Sequence, residues 1–326
     1  MAEWLYEEGI GETRAALVED GEIVEAHVEL PDPLRLGTVA AGRLTAILVP
    51  GRRGIVATDA GEVLVEPLPP ALTQGRALRV EIVREAVPEP GRPKFPRGRV
   101  TEEPEGPGPA LPERLGLRPG DAPPGPDRLE AAGWSERLEE ASSGEMGFPG
   151  GSLRMSLTPA MTLFDVDGGL PPAELAIAGA AAAARAIRRF GIGGSIGIDL
   201  PTLASKADRA AAAAAVDALL PQPFERTAVN GFGFLQIVRR RERPSLPETL
   251  QSDRVGAAAR ALLRRAERSQ GTGERLLVAA PAVIARIEAN PGWAQELARR
   301  IGAAVGLRAD PRLAISAGHV HASPSP

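Results

Sequence analysis

The chain contains no cysteine, which excludes disulfides, thiolate zinc sites and a cysteine nucleophile. Histidine is almost as scarce. His27 is isolated, and His319 and His321 fall in the tail segment Gly318-His319-Val320-His321, where two incidental imidazoles are a simpler reading than a metal pair. Aromatic residues make up 3% of the chain, and none occurs from Glu7 through Lys94, so that stretch offers no ring on which a nucleic-acid base could stack. Lysine is confined to Lys94 and Lys206; arginine supplies nearly all the positive charge, as a GC-rich genome would impose. Apart from alanine-rich, helix-like segments, no apolar run is long enough to cross a bilayer. The acidic start, Met1-Ala2-Glu3-Trp4-Leu5-Tyr6-Glu7-Glu8, also lacks the basic-then-apolar order of a signal peptide. A soluble, cytoplasmic protein with no membrane partner is expected.

The 326 residues leave room for two or more domains. The net charge of -4 conceals an asymmetry: residues 1–150 carry 16 Lys and Arg against 27 Asp and Glu, whereas residues 151–326 carry 22 against 15. The second half is therefore the one suited to phosphate.

Along the chain, Arg14-Ala15-Ala16-Leu17-Val18 and Glu22-Ile23-Val24-Glu25-Ala26-His27-Val28 flank Glu19-Asp20-Gly21, which predicts a hairpin within residues 1–36 that must pack elsewhere, being too small to stand alone. Short β patterns follow from Gly37 to about Val87, at a spacing that suits a five-stranded barrel over residues 37–95. Residues 96–128 are dense in Pro and Gly without apolar periodicity and read as a linker. A third unit, 129–246, alternates strand and helix patterns: a half-buried strand with Leu153, Met155 and Leu157 inward, a strand over 161–166, and a helix from Pro171-Pro172 to about Phe190. A strand ending at Asp199 follows, then a helix capped by Ser205, then strands near 225–229 and 234–238. The last unit, 247–326, reads as a small α/β domain with helices near 255–268, 282–288 and 293–301 and strands near 275–279, 303–307 and 313–317.

Two strand ends carry the chemistry. Thr162-Leu163-Phe164-Asp165-Val166-Asp167-Gly168 and Gly194-Ser195-Ile196-Gly197-Ile198-Asp199-Leu200 each deliver a carboxylate where an apolar strand meets solvent. Asp165 and Asp167 are two apart and share a strand face. Hard oxygen donors without cysteine or histidine select Mg²⁺ or Mn²⁺ over zinc. On residue types alone, Asp167-Gly168 as a turn and Asp199-Leu200-Pro201 as a strand exit are the plainer interpretation.

The surrounding blocks change that balance. Pro149-Gly150-Gly151-Ser152-Leu153, Leu163-Phe164-Asp165-Val166-Asp167-Gly168, Gly193-Gly194-Ser195-Ile196-Gly197-Ile198-Asp199, Phe232-Gly233-Phe234-Leu235 and Arg239-Arg240-Arg241-Glu242-Arg243-Pro244-Ser245-Leu246 stand in this order over residues 148–246. That order resembles the catalytic half of the ribonuclease E/G family. The resemblance implies an α/β catalytic domain preceded by a small β-barrel of OB type and followed by a small α/β C-terminal domain. It places the two metal-binding aspartates on Asp165 and Asp199, with Asp167 where the family has an asparagine that orients the second. Gln74 to Glu85 is the block most similar to the family's RNA-binding barrel; without aromatic rings it would bind RNA feebly or through Arg52, Arg53 and Lys94 alone, and a purely structural barrel accounts for it equally well.

What the resemblance implies for function is a Mg²⁺-dependent endoribonuclease, with Mn²⁺ as a substitute, that cuts single-stranded RNA by metal activation of water. Arg239, Arg240, Arg241, Arg243 and Lys206 would then hold the RNA, although a solvated strand end accounts for the arginine cluster equally well. The chain departs from the family in four places. Residues 88–127 are too few for the 5′-monophosphate sensor, so preference for such ends should be lost. Without cysteine the zinc link between subunits cannot form, so a homodimer would have to do without it. Gly231 stands where the family often has an arginine, and Asp167 adds a negative charge. The alternative is a noncatalytic RNA-binding or assembly protein that kept the fold.

Overall fold

The computed structural model describes residues 1–89, 94–117, 126–271 and 273–322. Three strands, β1 (Glu3–Glu8), β2 (Thr13–Glu19) and β3 (Glu22–Glu29), form an antiparallel sheet. The expected hairpin is β2–β3, and its two-residue turn has positive φ at both Asp20 (51°) and Gly21 (86°), the backbone twist that tight hairpins require. This sheet packs on a helix of the third unit, described below: Arg188 reaches Glu25 and Glu19, and Arg189 donates to the Ile23 carbonyl at 2.9 Å.

Strands β4 (Val39–Val49), β5 (Arg53–Thr58), β6 (Gly61–Val65), β7 (Ala77–Arg84) and β8 (Arg97–Thr101) close into a barrel in the order β4-β5-β6-β8-β7. The fifth strand inserted between the third and fourth is compatible with a barrel of OB type. Leu44, Val56, Val63, Val65, Val80 and Ile82 fill its interior. Strand β8 is a correction to the sequence reading, because it lies in the stretch assigned to a linker. Its only apolar residue besides Gly98 is Val100, so periodicity has nothing to report; the strand is held by backbone pairing to β7 and β6. Residues 118–125 of that expected linker lie outside the described residues.

After three short helices, α1 (Leu111–Arg114), α2 (Arg128–Ala131) and α3 (Trp134–Ser143), comes a six-stranded sheet. It is built from β9 (Glu145–Phe148), β10 (Gly151–Leu157), β11 (Thr162–Gly168), β12 (Gly194–Asp199), β13 (Glu225–Arg226) and β14 (Phe234–Arg239), in the order β13-β14-β12-β11-β10-β9. Helix α4 (Pro172–Arg189) crosses from β11 to β12 and makes them parallel. Its small residues allow the close approach: a Cβ on Gly179 would sit 2.4 Å from Val166 of β11. Helix α5 (Lys206–Leu219) follows β12, with Ser205 capping it by accepting from the Ala207 and Asp208 amides.

Helices α6 (Leu246–Ser252) and α7 (Arg254–Arg268) lead into the last unit. There β15 (Arg275–Ala279) pairs with β16 (Val305–Ala309) and β17 (His319–Ala322), under α7, α8 (Pro281–Glu288) and α9 (Pro291–Ile301). Residues 313–317 are not the expected strand. Ile315–Ala317 is a turn of 3₁₀ helix, and the strand falls on His319–Ala322, where Val320 supplies the apolar contact to the core. His319 and His321 lie exposed on β17 with ring centroids 4.8 Å apart. Among the described residues no helix is long and apolar enough to cross a membrane.

Candidate functional site

Burial along β11 alternates strictly. Phe164 and Val166 are buried, and Leu163, Asp165 and Asp167 take the other face, as a pleated strand between helix and solvent demands. The register with β12 sets Asp165 directly beside Asp199, so the two Cα atoms are about 4.8 Å apart, one strand spacing. Asp199 ends its strand exposed, Asp165 is half-buried, and Asp167 lies exposed about 6.6 Å farther along β11. Asp199 ends β12, and Asp165 is the last residue of β11 paired with it, so both stand at the C-terminal end of the parallel pairing, where α/β sheets place their ligands. Helices α4 and α5 begin at this same end, three residues after β11 and six after β12, and present positive dipole ends to it.

The neighbouring strands add two things that no reading of single segments contains. In β10, Arg154 is the register partner of Asp165, and it donates to Glu145 Oε1 of β9 at 2.9 Å. The bond to Glu145, with Asp165 and Asp167 nearby, pushes the Arg154 guanidinium up from the usual arginine value. On the other side, β14 brings Phe234 into register with Asp199, and the Phe234 ring lies over Gly197, 2.6 Å from where a Cβ would be. Phe232 projects from the adjoining turn and is 83% exposed. That turn is tightly specified: the Asn230 side chain accepts from the Phe232 and Phe234 amides at 2.9 and 3.0 Å. Gly233, at φ 94°, donates no side chain into a space where a Cβ would be 2.2 Å from the Leu200 carbonyl oxygen.

The residues expected to bind RNA divide between two places. Lys206 begins α5 at the carboxylate end, exposed and, among the described residues, without an ion-pair partner. The arginine cluster is elsewhere. Arg239 closes β14 opposite Gly194, five residues from the partner of Asp199, or about 17 Å along the strand. Arg240 pairs with Glu242 at 2.9 Å, Arg241 binds Glu248, and Arg239 donates to the Ile192 carbonyl. Arg243 follows at the same far end, walled in by the barrel exit and α1. The antiparallel return of β14 carries these residues away from the aspartates. On the barrel, Arg52 and Arg53 lie at the β4–β5 turn, and both join Arg97 on Glu66, at 3.5, 3.0 and 3.3 Å. The Arg53 bond, with the other two arginines, holds the Glu66 carboxyl below the usual range. Lys94 is paired with Glu89.

Whether the pair suits a metal ion turns on its donors. Among the described residues no three His, Cys, Asp or Glu side chains converge tightly enough to cage one. Two adjacent carboxylates nevertheless match the way Mg²⁺ is commonly held, by one or two carboxylates with water and substrate phosphate completing the shell. Sequence reading singled out both aspartates as site candidates but not Arg154 or Phe232. Arg154 shows only as the polar member of an alternating strand, and Phe232 only as part of the block Phe232-Gly233-Phe234-Leu235.

No model of a known protein family matches the chain, and a search of curated proteins finds no match either.

Proposed function

We propose that the protein is a reduced ribonuclease E/G-type endoribonuclease that hydrolyses single-stranded RNA with Mg²⁺ or Mn²⁺. The observation that carries this reading is the register of Asp165 with Asp199, the last pair of the parallel β11–β12 pairing. These two carboxylates would hold the ion, with Asp167 a further ligand or the group that orients Asp199. Such an ion supplies charge neutralisation at the phosphate and a lowered pKa for attacking water.

The chain's own groups supply the rest. Arg154 offers its guanidinium beside the carboxylates, where an RNA phosphate oxygen can accept from it. The N-terminal ends of α4 and α5, with Lys206, favour the same anionic backbone. Phe232 presents an exposed ring on which a base can stack. No histidine stands between residues 28 and 318, so imidazole base catalysis has no candidate here. The reading includes a cytoplasmic location and a homodimer without a zinc link.

A second reading, a noncatalytic RNA-binding or assembly protein, draws on Arg154: a fixed cation already stands beside Asp165 and partly answers its charge. One experiment separates the two. Labelled single-stranded RNA incubated with the protein should be cut with Mg²⁺ and left intact with EDTA; RNA retained but uncut with Mg²⁺ would establish the binding protein instead.

The ring at Phe232 makes a separate expectation. Phe232→Ala should weaken RNA binding by about 1–3 kcal/mol, the worth of one stacked base, while Phe232→Tyr should retain it. Filter binding at fixed salt reads both, and equal affinity in the alanine variant would remove Phe232 from the RNA path.

A further inference from the structure

We propose that the cleft between β3, the C-terminal end of α4 and the segment following β14 binds a small ligand through a diphosphate group. The cleft has a volume of about 440 Å³, within the range of small-molecule sites. Three units wall it: the hairpin sheet, the barrel exit after β7, and the far end of the six-stranded sheet. It is distinct from the aspartate edge, at the opposite end of β14, and does not depend on the nuclease reading.

Its charge is unbalanced in a specific way. Glu25 is engaged by Arg188, Glu29 by Arg35 and Arg114, Glu242 by Arg240, and Arg241 by Glu248. The two wall carboxylates outside these pairs, Asp32 and Glu85, accept from the Leu34 and Leu36 amides at 2.8 and 3.0 Å. Arg239 and Arg243 are the wall arginines that, among the described residues, have no carboxylate within 4.0 Å. Burial holds both guanidinium groups below the usual arginine value, and Arg114 beside Arg243 adds to the effect there. Arginine stays protonated regardless, so the cleft keeps two partly desolvated cations that an incoming anion would satisfy.

The wall also limits what the ligand is recognised by. Among the described residues Phe190 is the wall's only Phe, Tyr or Trp and is 1% exposed, and the His27 ring is already packed against Trp4, centroids 5.6 Å apart, so recognition falls on the phosphates. Arginine forks match phosphate oxygens in bidentate fashion. Two cations suit two linked phosphates better than one. Inorganic pyrophosphate and a nucleoside diphosphate present the same group.

Glu85 provides an internal control. It lines the cleft, accepts from the Leu36 amide at 3.0 Å, and faces Arg243 and Arg114. Replacing it with glutamine keeps an acceptor for that amide and removes a negative charge that opposes the ligand.

Isothermal titration of the full chain, without Mg²⁺ and at constant ionic strength, should show saturable binding of pyrophosphate, with AMP and sulfate weaker. ADP binding as tightly as pyrophosphate assigns the site to nucleotides; pyrophosphate binding alone assigns it to the free anion. Arg239→Gln combined with Arg243→Gln should weaken binding by about tenfold to a hundredfold, the loss of charged hydrogen bonds. Glu85→Gln should tighten it, and Asp165→Asn should leave it unchanged, which separates this site from the aspartate edge. Absence of saturable binding, sulfate binding as tight as pyrophosphate, ADP bound without pyrophosphate, or Glu85→Gln without effect would overturn the proposal. If the double arginine variant fails to fold, Glu85→Gln decides.

Discussion

Asp199→Asn is expected to abolish RNA cleavage while leaving the fold and RNA binding intact. The side chain is exposed at the end of β12, where a neutral isostere should change stability by no more than about 0.5 kcal/mol. The chemistry is more sensitive. Losing one of two carboxylate donors removes charge stabilisation worth several kcal/mol, and about 4 kcal/mol corresponds to roughly a thousandfold in rate. Asp165→Asn should do the same, and the double variant should lose little more than either single one, because the two act as a unit. RNA affinity should hold or rise, since each substitution removes a negative charge near the phosphate. Single-turnover cleavage and filter binding on the same preparations measure this. Cleavage within a fewfold of wild type in Asp199→Asn would refute the assignment of the site, whereas lost binding would point to a misfolded edge.

Glu7→Gln should destabilise the protein by roughly 3–5 kcal/mol, the cost of removing one partner from a buried ionic cluster. Glu7 is 8% exposed at the end of β1 and receives Arg14, Arg264 and Arg268, the latter two at 3.1 and 2.9 Å. Arg14, 1% exposed, also binds Glu12, which in turn takes Arg260 at 2.8 Å. Arg264 continues to Asp127 at 2.6 Å. The cluster thus ties the first strand to α7, more than 250 positions away. Burial alone would push the Glu7 carboxyl up, but the three arginines outweigh it and hold it below the usual 4.5.

A folded-state value below the unfolded one means the contribution is complete above about pH 4.5 and is lost as pH falls through the lowered folded value. Wild type should therefore lose stability on acidification faster than Glu7→Gln, and the gap between them should narrow. Urea denaturation at pH 7 and near pH 4 tests both points, with Glu62→Gln, an exposed glutamate of β6, as a control expected to change little. An unchanged midpoint for Glu7→Gln at pH 7 would show that the cluster contributes no net stability.

The elements with strong local signals were readable without coordinates. The hairpin turn at Asp20-Gly21, the Ser205 cap, the proline start of α4 and the alternation in β10 each rest on the chemistry of a few adjacent residues, and all four stand where the sequence puts them. Strand β8 was missed and strand β17 misplaced because each has a single larger apolar residue, Val100 or Val320, and owes its pairing to a distant strand. The same distinction runs through the site. Asp165 and Asp199 were visible because each ends an apolar run.

By itself, the sequence determined which chemistry is available: oxygen donors without thiolates, arginine with only two lysines, and two acidic strand ends. Only the tertiary structure decided which of these groups meet. Register across β10, β11, β12 and β14 set Arg154 and Phe234 beside the aspartates, and the antiparallel direction of β14 carried Arg239 to Arg243 to the other end of the sheet. Side-chain type is a local property, whereas register and strand direction are fixed by backbone pairing between segments far apart in the chain.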